Sequence, residues 1–187
     1  MTAEFAADFG GPLDLVDYDQ GWPAKFAYYR DELADALGPA ALRIEHIGST
    51  AVPGLAAKNV IDILVIVPDE HDQAAYRPAV ESTGMALASR DPAATWSFYR
   101  PSAPPRTRHV HVTSRGSSHE RVQLLFVDFL RAHDLAVDAY AQVKRRLAIR
   151  FADDREGYTR AKTDFIFDML DRAEQWADQC GWSVESR

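Results

Sequence analysis

The residues best suited to chemistry form one short run, His46-Ile47-Gly48-Ser49-Thr50, followed twelve residues after Thr50 by Asp62. The run reads as the end of a strand passing into a Gly-Ser turn. Glycine lets the backbone approach a ligand closely. The neighbouring N–H groups and the Ser49 and Thr50 hydroxyls can cradle a phosphate oxygen. Asp62 interrupts the apolar run Val60-Ile61-Asp62-Ile63-Leu64-Val65-Ile66-Val67. An unpaired charge is costly to bury there, so the aspartate needs a reason to be present. A carboxylate on the strand beside the turn can hold Mg²⁺ against a phosphate. Phosphoryl and nucleotidyl transfer depend on such positioning and charge neutralisation. The plain alternatives are a sharp strand-to-loop turn and a salt-bridged aspartate. His46 precedes the turn and is expected to be structural.

A second pair is His109 and His111 in His109-Val110-His111-Val112-Thr113. Two residues apart on a strand, both rings face one way and the valines the other. Two imidazoles can ligate a metal or move protons. With Asp62 they form the expected metal set, and Asp62 and His111 are the expected catalytic pair. Lys58 precedes the Asp62 strand and can meet a phosphate. Tyr158 and Lys162 are four apart and share a helix face. Asp128 and Arg131, three apart, are expected to pair with each other.

These groups need elements to hold them. Trp22, Phe26, Tyr29, Leu33 and Leu37 recur at helical spacing, and Gly38-Pro39 ends that helix. Residues 41–47 read as a strand, 48–54 as a turn-rich loop and 60–67 as a strand buried on both faces. Residues 71–83 read as a helix. One or two strands fall in 84–100, the better candidate being 95–99. A loop over 101–108 leads into the strand at 109–113. From 119 three helices follow, marked by Val122, Leu125, Phe126 and Phe129, then Tyr140, Val143, Leu147 and Phe151, then Tyr158, Phe165 and Met169. The order predicts a small mixed sheet with helices packed on it. The expected organisation is a leader over 1–12, one domain over 13–172 and a tail over 173–187.

The chain has 187 residues, enough for a core without disulfides. Its net charge is −7, and its densest basic run is only Lys144-Arg145-Arg146. That argues against polynucleotide binding but leaves room for one phosphorylated small molecule. The single cysteine, Cys180, cannot form an intrachain disulfide. No apolar run reaches the roughly 18 residues of a membrane span, and the N-terminus does not read as a signal peptide. The expectation is a cytoplasmic protein with no membrane or nucleic-acid partner.

The run His46–Val67, HIGSTAVPGLAAKNVIDILVIV, resembles the GrpB family, as do VDYDQGWPAKF (16–26), HVHV (109–112), LLFVDFLRAH (124–133), YAQVKRRLA (140–148) and YTRAKTDFI (158–166). The resemblance covers about residues 14–170. It implies an α/β (α+β) nucleotidyltransferase-like mixed sheet flanked by helices, and is shared with a domain that some bacteria fuse to dephospho-CoA kinase. It further implies that Lys144, Tyr158 and Lys162, on helices after the core, grip a triphosphate. Three positions depart from the expected pattern. Leu64 stands where a second carboxylate would share the face of Asp62. Asn59 stands where proline is expected, and Val127 where arginine is expected. Two functions are therefore carried forward. One is transfer of a nucleotidyl group from a nucleoside triphosphate to a small molecule, with Mg²⁺ or another divalent metal. The other is a non-catalytic nucleotide- or coenzyme-binding module.

Overall fold

The computed structural model describes residues 14–90 and 96–187, apart from the side chain of Arg155. The leader expected over 1–12, and Thr95 of the expected strand, lie outside the described residues.

The chain opens with helix α1, Trp22–Leu37, which carries Pro23 in its first turn. Proline costs nothing there because that N–H has no helical partner. Gly38 ends the helix, its N–H bonding to the Ala34 carbonyl. Strands β1 (Arg43–Ile47) and β2 (Ile61–Val67) follow, then helix α2 (Gln73–Ser82). Strands β3 (Met85–Ser89), β4 (Trp96–Pro101) and β5 (Arg108–Ser114) complete the sheet. Helices α3 (Ser118–Ala132), α4 (Asp134–Arg150) and α5 (Arg155–Cys180) close the fold. The interval 84–100 thus holds two strands, the second beginning at Trp96.

The five strands lie in the order β1-β2-β5-β4-β3. Among the described residues only β2 and β5 pair in parallel, and α2, β3 and β4 supply the long connection that a parallel pair needs. Side-chain alternation sorts β2 between two cores. Ile61, Ile63, Val65 and Val67 pack with Trp22, Leu33, Val80, Val110 and Val112 under α1 and α2. Leu64 and Ile66 pack with Leu124, Leu125, Phe129, Tyr140 and Met169 under the C-terminal helices. Burying a side chain of this size contributes roughly 1.5–3 kcal/mol. The apolar majority of β2 therefore fixes the strand, and Asp62 is carried on the C-terminal face with it.

Serine at position 117 caps α3, its hydroxyl accepting from the Glu120 N–H at 3.0 Å. Asp154 caps α5 by accepting from the Gly157 N–H at 2.8 Å. The buried stripe of α4 is Val137, Tyr140, Ala141 and Lys144; Val143, Leu147 and Phe151, expected to mark it, are half-buried. The boundary expected at 173 falls inside α5. Ala173 and Ala177 are buried in the C-terminal core, and Trp182 and Val184 pack against it. Arg187 adds ion pairs to Asp128 at 2.6 Å and to Glu45 on β1 at 3.1 Å. Residues 173–187 are thus built into the fold.

Candidate functional site

Gly48 leaves β1 with φ +70° and ψ −170°, a conformation close to glycine-only. It lies against the strand that carries Asp62, since Ile47 pairs with Asp62 across β1 and β2. A Cβ on Gly48 would stand 2.4 Å from Asp62 Oδ2. Glycine at 48 is therefore required twice, for the turn and for the carboxylate. Residues Ser49–Ala51 then make one tight helical turn, and Ser49 faces a cleft of about 220 Å³.

Asp62 pairs in register with His109 across β2 and β5, and Leu64 with His111. Asp62 Oδ1 lies 3.0 Å from His109 Nδ1, with the two side chains 29% and 11% exposed. Burial pushes the Asp62 carboxyl up, but the hydrogen bond and charge of His109, with His111 and Lys162, outweigh it and hold its pKa below the ordinary value. Both histidines point to the cleft side while Val110 and Val112 fill the opposite core, as the two-residue period predicts. Burial beside His119 pushes His111 down to about 3, so it is neutral at physiological pH. Phe98 packs against both rings, with centroids at 5.1 and 5.0 Å.

The opposite wall comes from the C-terminal helices. Lys144 is 2% exposed and donates to Ser49 Oγ at 3.0 Å and to the Ala56 carbonyl. It lies over the Tyr140 ring, 4.5 Å from the centroid. Burial, then the charges of Lys162 and Arg145, depress its pKa to about 6. Burial thus favours the neutral amine over the phosphate-neutralising cation expected at Lys144. Tyr158 is buried, which lifts its pKa to about 12. The ammonium groups of Lys58 and Lys162 stand 5.8 and 5.7 Å from the Tyr158 ring centroid, within cation–π range. Both lysines line the cleft.

Of the expected residues, Gly48, Ser49, Thr50, Lys58, Asp62, His109, His111, Lys144, Tyr158 and Lys162 all line this one cleft. The Thr50 hydroxyl is turned inward, 3.0 Å from His46 Nε2 and 3.4 Å from the Val60 carbonyl. His46 is structural: its ring stacks on Phe26 at 4.6 Å, and burial lowers its pKa to about 4. Arg131 lies 3.6 Å from Asp128 as expected and also donates to the Ala51 carbonyl at 3.0 Å, bracing the turn. Tyr140, Phe98 and Phe126 also line the cleft and were not anticipated as site residues. For Tyr140 the available signal was its spacing of four from Lys144.

The metal set of Asp62, His109 and His111 needs correction. Among the described residues no three His, Cys, Asp or Glu side chains are grouped so as to hold a metal ion. His109 commits Nδ1 to Asp62, and Leu64, fully buried, fills the second carboxylate position. Mg²⁺ takes hard oxygen ligands, whereas β5 offers imidazoles. This donor set does not fit a protein-built Mg²⁺ site. The other two departures are accommodated. Asn59 accepts from the Trp22 indole at 2.9 Å and from Lys25 at 3.1 Å, and Val127 is buried in the C-terminal core.

Comparison with known proteins agrees with this architecture. A UPF0157 protein of Halalkalibacterium halodurans is 39% identical over 162 residues, spanning 86% of this chain and 82% of that one. A dephospho-CoA kinase of Mycolicibacterium paratuberculosis is 34% identical over 196 residues, 91% of this chain but only 48% of the kinase. The crystal structure of GrpB from Enterococcus faecalis superposes with a TM-score of 0.79 at 28% identity, covering 87% of this chain and 99% of that one. A GLD-2/RNP-8 complex gives 0.52 at 14% identity, over 77% and 58% of the two chains, a likeness of fold alone. The fold is α+β and nucleotidyltransferase-like. No helix among the described residues is long and apolar enough to cross a membrane. The family model for GrpB protein matches residues 12–172, and the chain belongs to the GrpB family.

Proposed function

We propose that the cleft binds the phosphates of a nucleotide, making the chain a nucleotide- or coenzyme-binding protein on a nucleotidyltransferase-like scaffold. One observation carries this reading. Ser49, Lys58, Tyr158 and Lys162, from a turn, a loop and a distant helix, converge on one cleft beside Gly48. Lysine charge with a hydroxyl and turn N–H groups is the chemistry that holds phosphate oxygens. The aromatic wall of Phe98, His109 and Phe126 offers apolar surface for the rest of the ligand. The name dephospho-CoA kinase, carried by longer relatives, is a reason to include coenzyme A among the ligands tested.

Calorimetry with ATP, ADP, AMP and coenzyme A, with and without Mg²⁺, tests this. Affinity is expected to rise with the number of phosphates and to persist without metal. No binding, or equal affinity for all of them, would reject the reading.

A second reading, nucleotidyl transfer, is favoured by the place of Asp62 on the strand beside the Gly-Ser turn. The variant Asp62→Asn separates the two. In the binding reading the carboxylate repels phosphate, so the variant binds ATP more tightly with or without Mg²⁺. In the transfer reading the variant loses Mg²⁺-dependent affinity, and the wild-type chain releases pyrophosphate over a panel of small-molecule acceptors.

A further inference from the structure

We propose that Ser49 is a nucleophile with Lys144 as its general base, and that it takes a phosphoryl or nucleotidyl group from the phosphoanhydride held in the cleft. This rests on the phosphate-binding reading above for the identity of the electrophile.

A serine hydroxyl is a weak nucleophile unless an adjacent base removes its proton. Lys144 Nζ is within hydrogen-bond reach of Ser49 Oγ, at 3.0 Å. The base is held in place, since Nζ also bonds the Ala56 carbonyl and lies over the Tyr140 ring. Its side chain is almost wholly buried, whereas Ser49 is half-buried and lines the cleft.

Lys144 donates to Ser49 Oγ in the resting bond; as a neutral amine its lone pair accepts the Oγ proton across the same 3.0 Å contact, and the depression of its pKa to about 6 favours that amine. The charged groups acting on Lys144 are Lys162 on α5 and Arg145 on its own helix, and both favour the neutral amine. Lysine paired with serine is an established nucleophile arrangement on unrelated folds.

The step balances without a further reactant. Ser49 Oγ attacks a phosphorus of the bound anhydride and forms an O–P bond. The P–O anhydride bond breaks, and the leaving phosphate departs as an anion. The Oγ proton passes to Lys144 Nζ, which becomes an ammonium. Lys58 and Lys162 stand near enough to the cleft to neutralise the leaving charge.

The test has two arms. In the first, the chain is incubated with ATP, and adduct formation is followed by intact mass and peptide mapping while calorimetry reports binding. In the second, a fluorophosphonate probe replaces ATP and needs no nucleotide recognition. We expect a one-group mass gain at Ser49 in both arms, absent in Ser49→Ala. Loss of the base in Lys144→Met should slow labelling about a hundredfold or more. The labelling rate of the wild-type chain should rise with pH through about 6 and then level, a profile the variant lacks. Circular dichroism confirms that each variant is folded, and Lys144→Gln gives a second base-free chain. ATP binding with no adduct and no fluorophosphonate labelling overturns the inference while leaving the binding reading intact. Fluorophosphonate labelling of Ser49 without ATP binding keeps the nucleophile and rejects the nucleotide. Labelling of equal rate in Lys144→Met overturns the role of the lysine.

Discussion

Gly48 and Asp62 can occupy their positions only together. The glycine adopts a backbone conformation that strains any residue with a Cβ, and that Cβ would meet the carboxylate at 2.4 Å. Backbone strain and overpacking each cost about 1–3 kcal/mol. Gly48→Ala should therefore lower stability by at least about 2 kcal/mol, measured by denaturant unfolding. A loss under about 0.5 kcal/mol would show that the turn relaxes freely. Asp62 was legible in the sequence because a charge in an apolar β-branched run stands out. The shared orientation of His109 and His111 was legible from the strand period alone. The Asp62–His109 hydrogen bond was not, because it needs the parallel register of two strands separated by 47 positions. The burial of Lys144 against Ser49 and Tyr140 was hidden too, since nothing in its sequence neighbours reveals it.

At the scale of elements, α5 does two tasks. Its first turns present Tyr158 and Lys162 to the cleft, and its last turns pack Ala173 and Ala177 into the core. If Lys162 meets the distal phosphates, Lys162→Ala should cost about 1.5–3 kcal/mol in triphosphate affinity and less for a monophosphate. Calorimetry with ATP and AMP checks this, and equal losses would remove α5 from the site. Trp182, just beyond the helix, donates its indole N–H to Asp128 on α3 at 3.0 Å and lies under the Arg121 guanidinium. It is half-buried, so Trp182→Ala should cost less than a core tryptophan, about 2 kcal/mol by thermal unfolding, without altering the cleft. The strands and helices were readable because each keeps its hydrophobic period. The continuation of α5 past 173 was not legible because the sequence there shows alanines, which read as surface helix until a partner face is known. The stripe of α4 was likewise ambiguous, since Tyr140 and Lys144 form a buried face that the aliphatic residues Val143 and Leu147 do not share.

For the whole molecule, the buried bases couple folding to pH. His46, His111 and Lys144 all have folded-state pKa values below their ordinary ones, about 4, 3 and 6 respectively. In each case the unfolded chain binds a proton that the folded chain rejects, so stability rises with pH between the folded and unfolded values. For the histidines that window runs from about 6.5 downward, and their contribution is lost as acid is added. For Lys144 it spans pH from about 6 to the ordinary lysine value of 10.5. One proton difference corresponds to a slope of about 1.4 kcal/mol per pH unit. Lys144→Met replaces the amine with a flexible apolar chain of similar length and removes both the desolvation cost and the titration. Between pH 7 and 9 the wild-type chain should gain stability with pH, and the variant should gain less by up to about 1.4 kcal/mol per unit. At pH 7 the variant should be the more stable protein. Denaturant unfolding of both chains across that range isolates the lysine, because every other titrating group is common to them. Parallel pH profiles would show that Lys144 keeps its proton in the folded state and draws enough stabilisation from Ser49 and the Ala56 carbonyl to offset its burial.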